Sequence, residues 1–375
     1  MKISFPHMGY SYLALKWLVE NMGHECIVPP EPSSHTLDLG VRHAPEFACI
    51  PFKILMGTYL EVAEKGAEVI LTSGGMGPCR AGLYWVMHQY LLDELHTGVK
   101  VVAFEPPLCD LKDFFKKLRW VRRTGGLSVK EFVQVLRITW EKIKAIDEVE
   151  MLSHEIRPYE TNRGETTRGL WQALEMLDAA NNEAEIEDAM QEGLKLLRDV
   201  SQDRSRNPLK IGIIGEIYVV LEPAANHYIQ IMLGEMGVQT DRSIYLTSYT
   251  RKNTIVNLEG DVFEIAKPYL GEAPIGGHGA NSIGETILYA RHGFDGVVQL
   301  APFACIPEIV AKSIIPAVSK DYGIPVLTLF IDEQTGKAGV QTRLEAFVDL
   351  LEKRREVKAK RGIERLVICL RDIWE

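Results

Sequence analysis

Three of the six cysteines stand where a thiol could bind a metal. Phe47-Ala48-Cys49-Ile50-Pro51 recurs as Phe303-Ala304-Cys305-Ile306-Pro307. In each copy the cysteine lies two residues before a proline, and proline is favoured at the first helical position. A cysteine placed there faces unpaired backbone N–H groups and the positive end of a helix dipole. That setting favours thiolate over thiol, and thiolate is the form that binds iron or zinc. Cys79 lies in the glycine-rich stretch SGGMGPCRAG, residues 73–82. Glycines let backbone N–H groups approach a charged object, and Arg80 adds positive charge beside the sulfur. The stretch lacks the Gly-Lys-Ser/Thr ending of a nucleotide-binding P-loop.

The remaining thiols carry weaker signals. Cys109 follows Pro106-Pro107; it is a candidate fourth ligand, with a plain loop thiol the commoner outcome. Cys26 and Cys369 lie in apolar segments and read as small buried hydrophobes. No Cys-x-x-Cys pair occurs, which disfavours zinc ribbons, thioredoxin-like sites and ferredoxin-type runs. Any metal ligands must therefore come from distant parts of the chain. From the residues alone, an iron–sulfur cluster and a structural zinc both remain open. Gly276-Gly277-His278-Gly279 precedes a helix starting near Asn281, so Gly277 and His278 are candidates for contacting a ligand. Gly212–Glu216 lacks the third glycine of a dinucleotide fingerprint and reads as a tight turn. The basic run Lys116–Arg123 could grip phosphates or a partner, though such runs are more often solvated helix faces.

The elements that must position these residues alternate. Strands are expected at Lys2–Phe5, Cys26–Val28, Val69–Thr72 and Val99–Phe104, with helices at Tyr12–Asn21, Phe52–Lys65 and Leu83–Leu95. Strand signals vanish from Asp110 to about Asn207, where Val129–Ile146 and Thr167–Ala179 carry helical periodicity. Ser201–Asn207 reads as a linker. Strands return at Lys210–Ile214, Val238–Ile244, Gly296–Leu300 and Val326–Ile331, with helices at Ala224–Met236, Pro307–Tyr322 and Arg343–Lys360. Alternation of this kind predicts an α/β protein with parallel, doubly wound sheets. The expected units are residues 1–109 carrying Cys49 and Cys79, a helical segment 110–208, and residues 209–375 carrying Cys305. Cys79 and Cys305 each follow a strand, where open α/β sheets bind their ligands.

Composition narrows the class. The 375 residues are 46% hydrophobic and 25% charged, values of a globular chain rather than a disordered one. A net charge of -9 gives no bulk attraction to nucleic acid or anionic lipid. The N-terminal stretch has no signal-peptide apolar core, and no apolar run approaches a membrane span. A cytoplasmic location is expected, with thiols kept reduced.

The motifs together resemble a known family. PHMG (6–9), HAPEFACIPFK (43–53), GGMGPCRAG (74–82), IRPYETNRGETTRG (156–169), GGHGANSIGET (276–286), the segment 300–336 around the second FACIP, and TRLEAFVDLL (342–351) look like the CoA protein activases. These are similar to the D-component of 2-hydroxyacyl-CoA dehydratases and to double-cubane cluster proteins. The resemblance spans nearly the whole chain. It implies two Rossmann-like domains with a [4Fe–4S] cluster between them, held by Cys49, Cys79 and Cys305, and one iron without a protein thiolate. An [8Fe–9S] double cubane is the variant seen in some relatives. The resemblance further implies a separate ATP-dependent iron–sulfur activator as electron donor. It allows a homo-oligomer or a related dehydratase-like subunit as a further partner. The expected function is a low-potential reductase component. The alternative is a non-catalytic cluster protein that relays electrons or serves in a larger complex, so catalysis by the chain itself stays open.

Overall fold

The computed structural model describes residues 1–75, 79–107, 110–250, 260–271 and 275–374, with side chains for all of these except 260, 261 and 361–374. The first part of the chain runs β1 (Lys2–Ser4), α1 (Tyr12–Asn21), β2 (Glu25–Cys26), α2 (Ser34–His43), α3 (Ile50–Glu64), β3 (Val69–Ser73), α4 (Tyr84–Glu94) and β4 (Lys100–Phe104). Four helices follow with no named strand between them: α5 (Leu111–Thr124), α6 (Val129–Ile156), α7 (Glu165–Ala179) and α8 (Glu183–Arg198). The last part begins with β5 (Leu209–Gly215), α9 (Ile217–Leu221), α10 (Ile229–Glu235), β6 (Val238–Arg242), α11 (Leu246–Thr250) and α12 (Gly260–Leu270). It ends with α13 (Gly279–Arg291), β7 (Gly296–Pro302), α14 (Ile306–Tyr322), β8 (Val326–Ile331) and α15 (Lys337–Trp374).

The strands form two four-stranded sheets, ordered β2-β1-β3-β4 and β6-β5-β7-β8, and every pairing is parallel. The two orders are the same permutation. In each, the chain reverses direction across the sheet between the first and third strands, the place where a crevice opens at the carboxyl ends. β5 and β7 are buried along almost their whole length, as strands covered on both faces must be.

Among the departures from the expected pattern, two have a clear local cause. Helix α2 was not anticipated; its start is fixed by a capping box in which Ser33 accepts from the Thr36 N–H and Thr36 accepts from the Ser33 N–H. The helix expected over Ala224–Met236 forms only in its second half, as α10, and a separate short helix, α9, precedes it. His227 and Tyr228 between them take left-handed backbone angles (φ 60° each), which no α-helix continues through.

The helical segment packs on α1 and on the edge of the first sheet. Ile138, Ile146, Leu170, Leu174 and Leu197 form one core with Leu13 and Trp17 of α1. On its other side, Arg242 of β6 makes a bidentate ion pair with Glu150 of α6, at 2.8 and 2.6 Å. The motif at 156–169 is a clasp for this arrangement. Glu160 accepts from the N–H groups of Gly164 and Thr166 at 2.9 Å each. Arg206 donates to the Pro158 and Glu160 carbonyls at 3.2 and 3.0 Å. α5 reaches α4, the helix after Cys79: the Lys117 ammonium lies 5.9 Å from the Trp85 ring. Among the described residues, no helix is long and apolar enough to cross a membrane.

Candidate metal centre

All three cysteines occupy helix N-cap positions. Cys49 caps α3 and Cys305 caps α14, each with its proline in the first turn. Cys79 caps the short 3-10 turn Arg80–Leu83 that leads into α4. The FACIP repeat is not a topological repeat, however. Its first copy follows α2, between the second and third strands of its sheet. The second copy follows the third strand, β7. Cys79, which follows β3, is therefore the positional counterpart of Cys305.

One side chain joins the two copies. Arg80 donates from Nη1 to the Phe47 carbonyl at 3.2 Å and from Nη2 to the Ala304 carbonyl at 2.8 Å. Ala304 has φ 64°, a left-handed angle unfavourable for a residue with a Cβ by about 1 kcal/mol. Gly277 closes the same region. Its φ is +58°, and a Cβ added there would lie 2.9 Å from Pro307 Cγ and 3.6 Å from Cys79 Cβ. The loop can press against both cysteine connections only because residue 277 is glycine.

The electrostatics corrects one expectation. Burial pushes the Cys49 thiol up to about 11, and raises those of Cys79 and Cys305. The helix-end N–H groups of Phe52, Ala81 and Glu308 act in the opposite direction but are outweighed. Arg80 favours the thiolates of Cys49 and Cys79 only weakly. At all three thiols burial outweighs the helix-end N–H groups.

Three residues at this site were not read from the sequence. The Tyr84 hydroxyl lies 2.5 Å from Cys49 Sγ and also feels the charge of Cys79. Glu216, the N-cap of α9, acts on all three thiols. Burial raises its pKa to about 7. Glu308 is fully buried, and burial raises its pKa to about 7 as well. It accepts from Ser282 Oγ at 2.9 Å and from Gln299 Nε2 at 2.8 Å. The signal for Glu308 was its place three residues after Cys305, where the first copy has Phe52. Glu216 was hidden in what read as a tight turn.

The other candidates divide. His278 is the N-cap of α13; its ring lies 5.6 Å from that of Tyr249, and burial lowers its pKa to about 4, so it is a neutral imidazole at pH 7. Cys26 stays apart in β2, its thiol pushed up to about 12 by burial. Cys109 and residues 76–78 of the glycine-rich stretch lie outside the described residues, as does the Cys369 side chain.

The donor set is three thiols in one electrostatic neighbourhood, with two carboxyls, one phenol and one guanidinium. It suits thiophilic iron or zinc. Among the described residues no three His, Cys, Asp or Glu side chains converge to share a single ion. Thiolates that each bind a different iron of a cubane need not converge on one point, whereas zinc ligands must all lie about 2.0–2.3 Å from one ion. No family model matches the chain, and no curated protein matches it.

Proposed function

We propose that the chain is an iron–sulfur protein in which Cys49, Cys79 and Cys305 hold a [4Fe–4S] cluster between two Rossmann-like units joined by a helical segment. The observation that carries this reading is the Arg80 clamp, which ties together the two cysteine connections that lie 256 residues apart in sequence. Three N-cap thiols without a fourth would leave one iron open to an exogenous ligand.

The proposed role is that of a low-potential reductase component of the kind the sequence resembles, reduced by an ATP-dependent iron–sulfur activator. The cluster supplies one-electron reducing power. The chain's own residues do the rest. Cys49 and Cys305 are buried and Cys79 half-buried, which limits the access of water to the donors. Arg80 holds the two connections in register. Tyr84 can hydrogen-bond a sulfur of Cys49, and such bonds tune reduction potential. A partner could dock over the cysteines, because Phe47 and Phe303 are 75% and 60% exposed two residues before Cys49 and Cys305, with Leu83, Val86, Tyr90 and Ile306 exposed nearby. Exposed apolar groups gathered in this way mark interaction surfaces.

The test is anaerobic reconstitution with iron and sulfide, followed by iron and acid-labile sulfide analysis and electron paramagnetic resonance of the dithionite-reduced protein. About four irons per chain with a reduced-cubane signal supports the reading. Stoichiometric zinc without sulfide overturns it. Single replacements of Cys49, Cys79 and Cys305 by serine should each strip most of the iron, while Cys26→Ser keeps it. Turnover with activator, ATP and a reductant then separates a reductase from a passive relay.

A further inference from the structure

The PHMG motif builds a second site, remote in sequence from every cysteine connection. His7 Nδ1 bonds Glu222 Oε2 at 2.7 Å, and the Gly9 N–H donates to the same oxygen at 2.8 Å. The other carboxylate oxygen accepts from the Ala224 N–H at 3.1 Å. His7 is 5% exposed and Glu222 0%. The His7 ring stacks on Tyr12, centroids 4.9 Å apart. With Nδ1 and one ring face taken, the free polar atom of His7 is Nε2, which has no hydrogen-bond partner among the described residues.

His7 borders a cavity of about 180 Å³ at the carboxyl end of β1, closed by α7 and by the turn after α9. Its lining includes Tyr10, Tyr12, Trp171, Glu31 and Glu222. Tyr10 and Trp171 meet edge to face at 5.6 Å, and Glu31 accepts from the Tyr228 hydroxyl. No lysine or arginine lines the space. The lining holds two carboxylates and one imidazole, so its formal charge is negative whether or not His7 carries a proton. Three aromatic rings beside carboxylates, with no cation to neutralise them, are complementary to a positively charged organic group. A cavity of roughly 150 Å³ takes a benzene-sized guest, so this one has room for a small cation.

We propose that this cavity binds a small organic ammonium ion, held over Tyr12 and Trp171, with Glu31 and the Glu222–His7 pair supplying negative charge and a hydrogen-bond acceptor. The site does not depend on the cluster reading. Glu216 and Glu222 cap opposite ends of α9, about 9 Å apart along its axis, so the two sites are neighbours but share no side chain.

The experiment is a calorimetric titration of the intact chain with choline. Its neutral isostere 3,3-dimethylbutan-1-ol has the same shape without the charge. Saturable choline binding at least tenfold tighter than the alcohol is expected. Trp171 is 42% exposed, so Trp171→Ala should fold normally and weaken choline binding at least fivefold, and Glu31→Gln should weaken it similarly. Absence of saturable choline binding, equal binding of the alcohol, or unchanged binding in Trp171→Ala with normal circular dichroism each overturns the proposal.

Discussion

The Arg80 guanidinium reaches the Ala304 carbonyl at 2.8 Å, across from the first sheet's connections to the second's. A left-handed alanine presents that carbonyl. The strained backbone and the cation that satisfies it sit one residue before Cys305 and one after Cys79, so local geometry at both thiols depends on this bond.

Arg80→Gln should therefore loosen the site more than the fold. Each of the two hydrogen bonds contributes about 1 kcal/mol, and both lie at the surface. We predict a melting temperature within a few degrees of the parent. Iron loss to a chelator under anaerobic conditions should be roughly tenfold faster, the factor that 1.4 kcal/mol represents. Unchanged loss would mean that the guanidinium does not hold the two connections together.

Glu308 gives the iron-free protein a pH dependence with a defined sign. Burial raises its folded-state pKa from the ordinary 4.5 to about 7. The folded chain then holds a proton that the unfolded chain releases between those values. Stability is full below pH 4.5 and falls as pH rises through 7, by an amount on the order of 3 kcal/mol. Urea midpoints at pH 5 and pH 8 measure this. Glu308→Gln should match the parent at pH 5 and exceed it at pH 8; an equal pH response in both proteins would rule Glu308 out as the titrating group.

Glu222 is a structural anchor whose loss should be severe. Glu222→Ala leaves the donors of His7, Gly9 and Ala224 without their acceptor in a buried setting, at about 1–3 kcal/mol for each such group. A total loss of at least ~3 kcal/mol is expected. Gly9→Ala should be destabilising for a different reason. Gly9 has φ +54°, and a Cβ would lie 2.3 Å from the Leu221 carbonyl oxygen. Chemical denaturation of both variants checks this, and parent-like midpoints would show that the anchor contributes little.

The parallel α/β pattern was legible because its signals are local. Val69–Thr72 and Gly296–Leu300 are short apolar runs that each follow a glycine by three residues, and they form β3 and β7 with ends shifted by one or two residues. Proline after Cys49 and Cys305 correctly placed two helix starts. What was not legible depends on pairs far apart in sequence. Nothing in a string of residues shows that Arg80 bonds residues 47 and 304, or that Glu216 faces three thiols. The thiol pKa values were misjudged for the same reason: a helix start is visible in sequence, whereas the depth of burial around it is not. The late start of α10 was missed because the two adjacent left-handed residues before it, His227 and Tyr228, have no glycine to announce them.

The last prediction concerns where the proposed activator docks. Lys112, Lys116, Arg119 and Arg123 are exposed and recur at the spacing of one face of α5. Leu111 and Phe115 are exposed on the same helix. Two basic residues of this segment are occupied elsewhere. Lys117 pairs with Asp113 and lies over Trp85, and Arg122 donates to the Leu127 carbonyl at 2.6 Å. A charge reversal that includes them would disturb the fold, so the informative variant is Lys116→Glu, Arg119→Glu and Arg123→Glu together. Charge pairing mainly accelerates encounter and is screened by salt. Cluster reduction by activator with ATP and reductant should slow as salt rises from 50 to 500 mM. In the triple variant at low salt it should slow by about tenfold, with iron content unchanged. Loss of the salt dependence in the variant would tie the effect to this face. A parent-like rate in the variant would place docking elsewhere, with the exposed rim around Phe47 and Phe303 as the surface to mutate next.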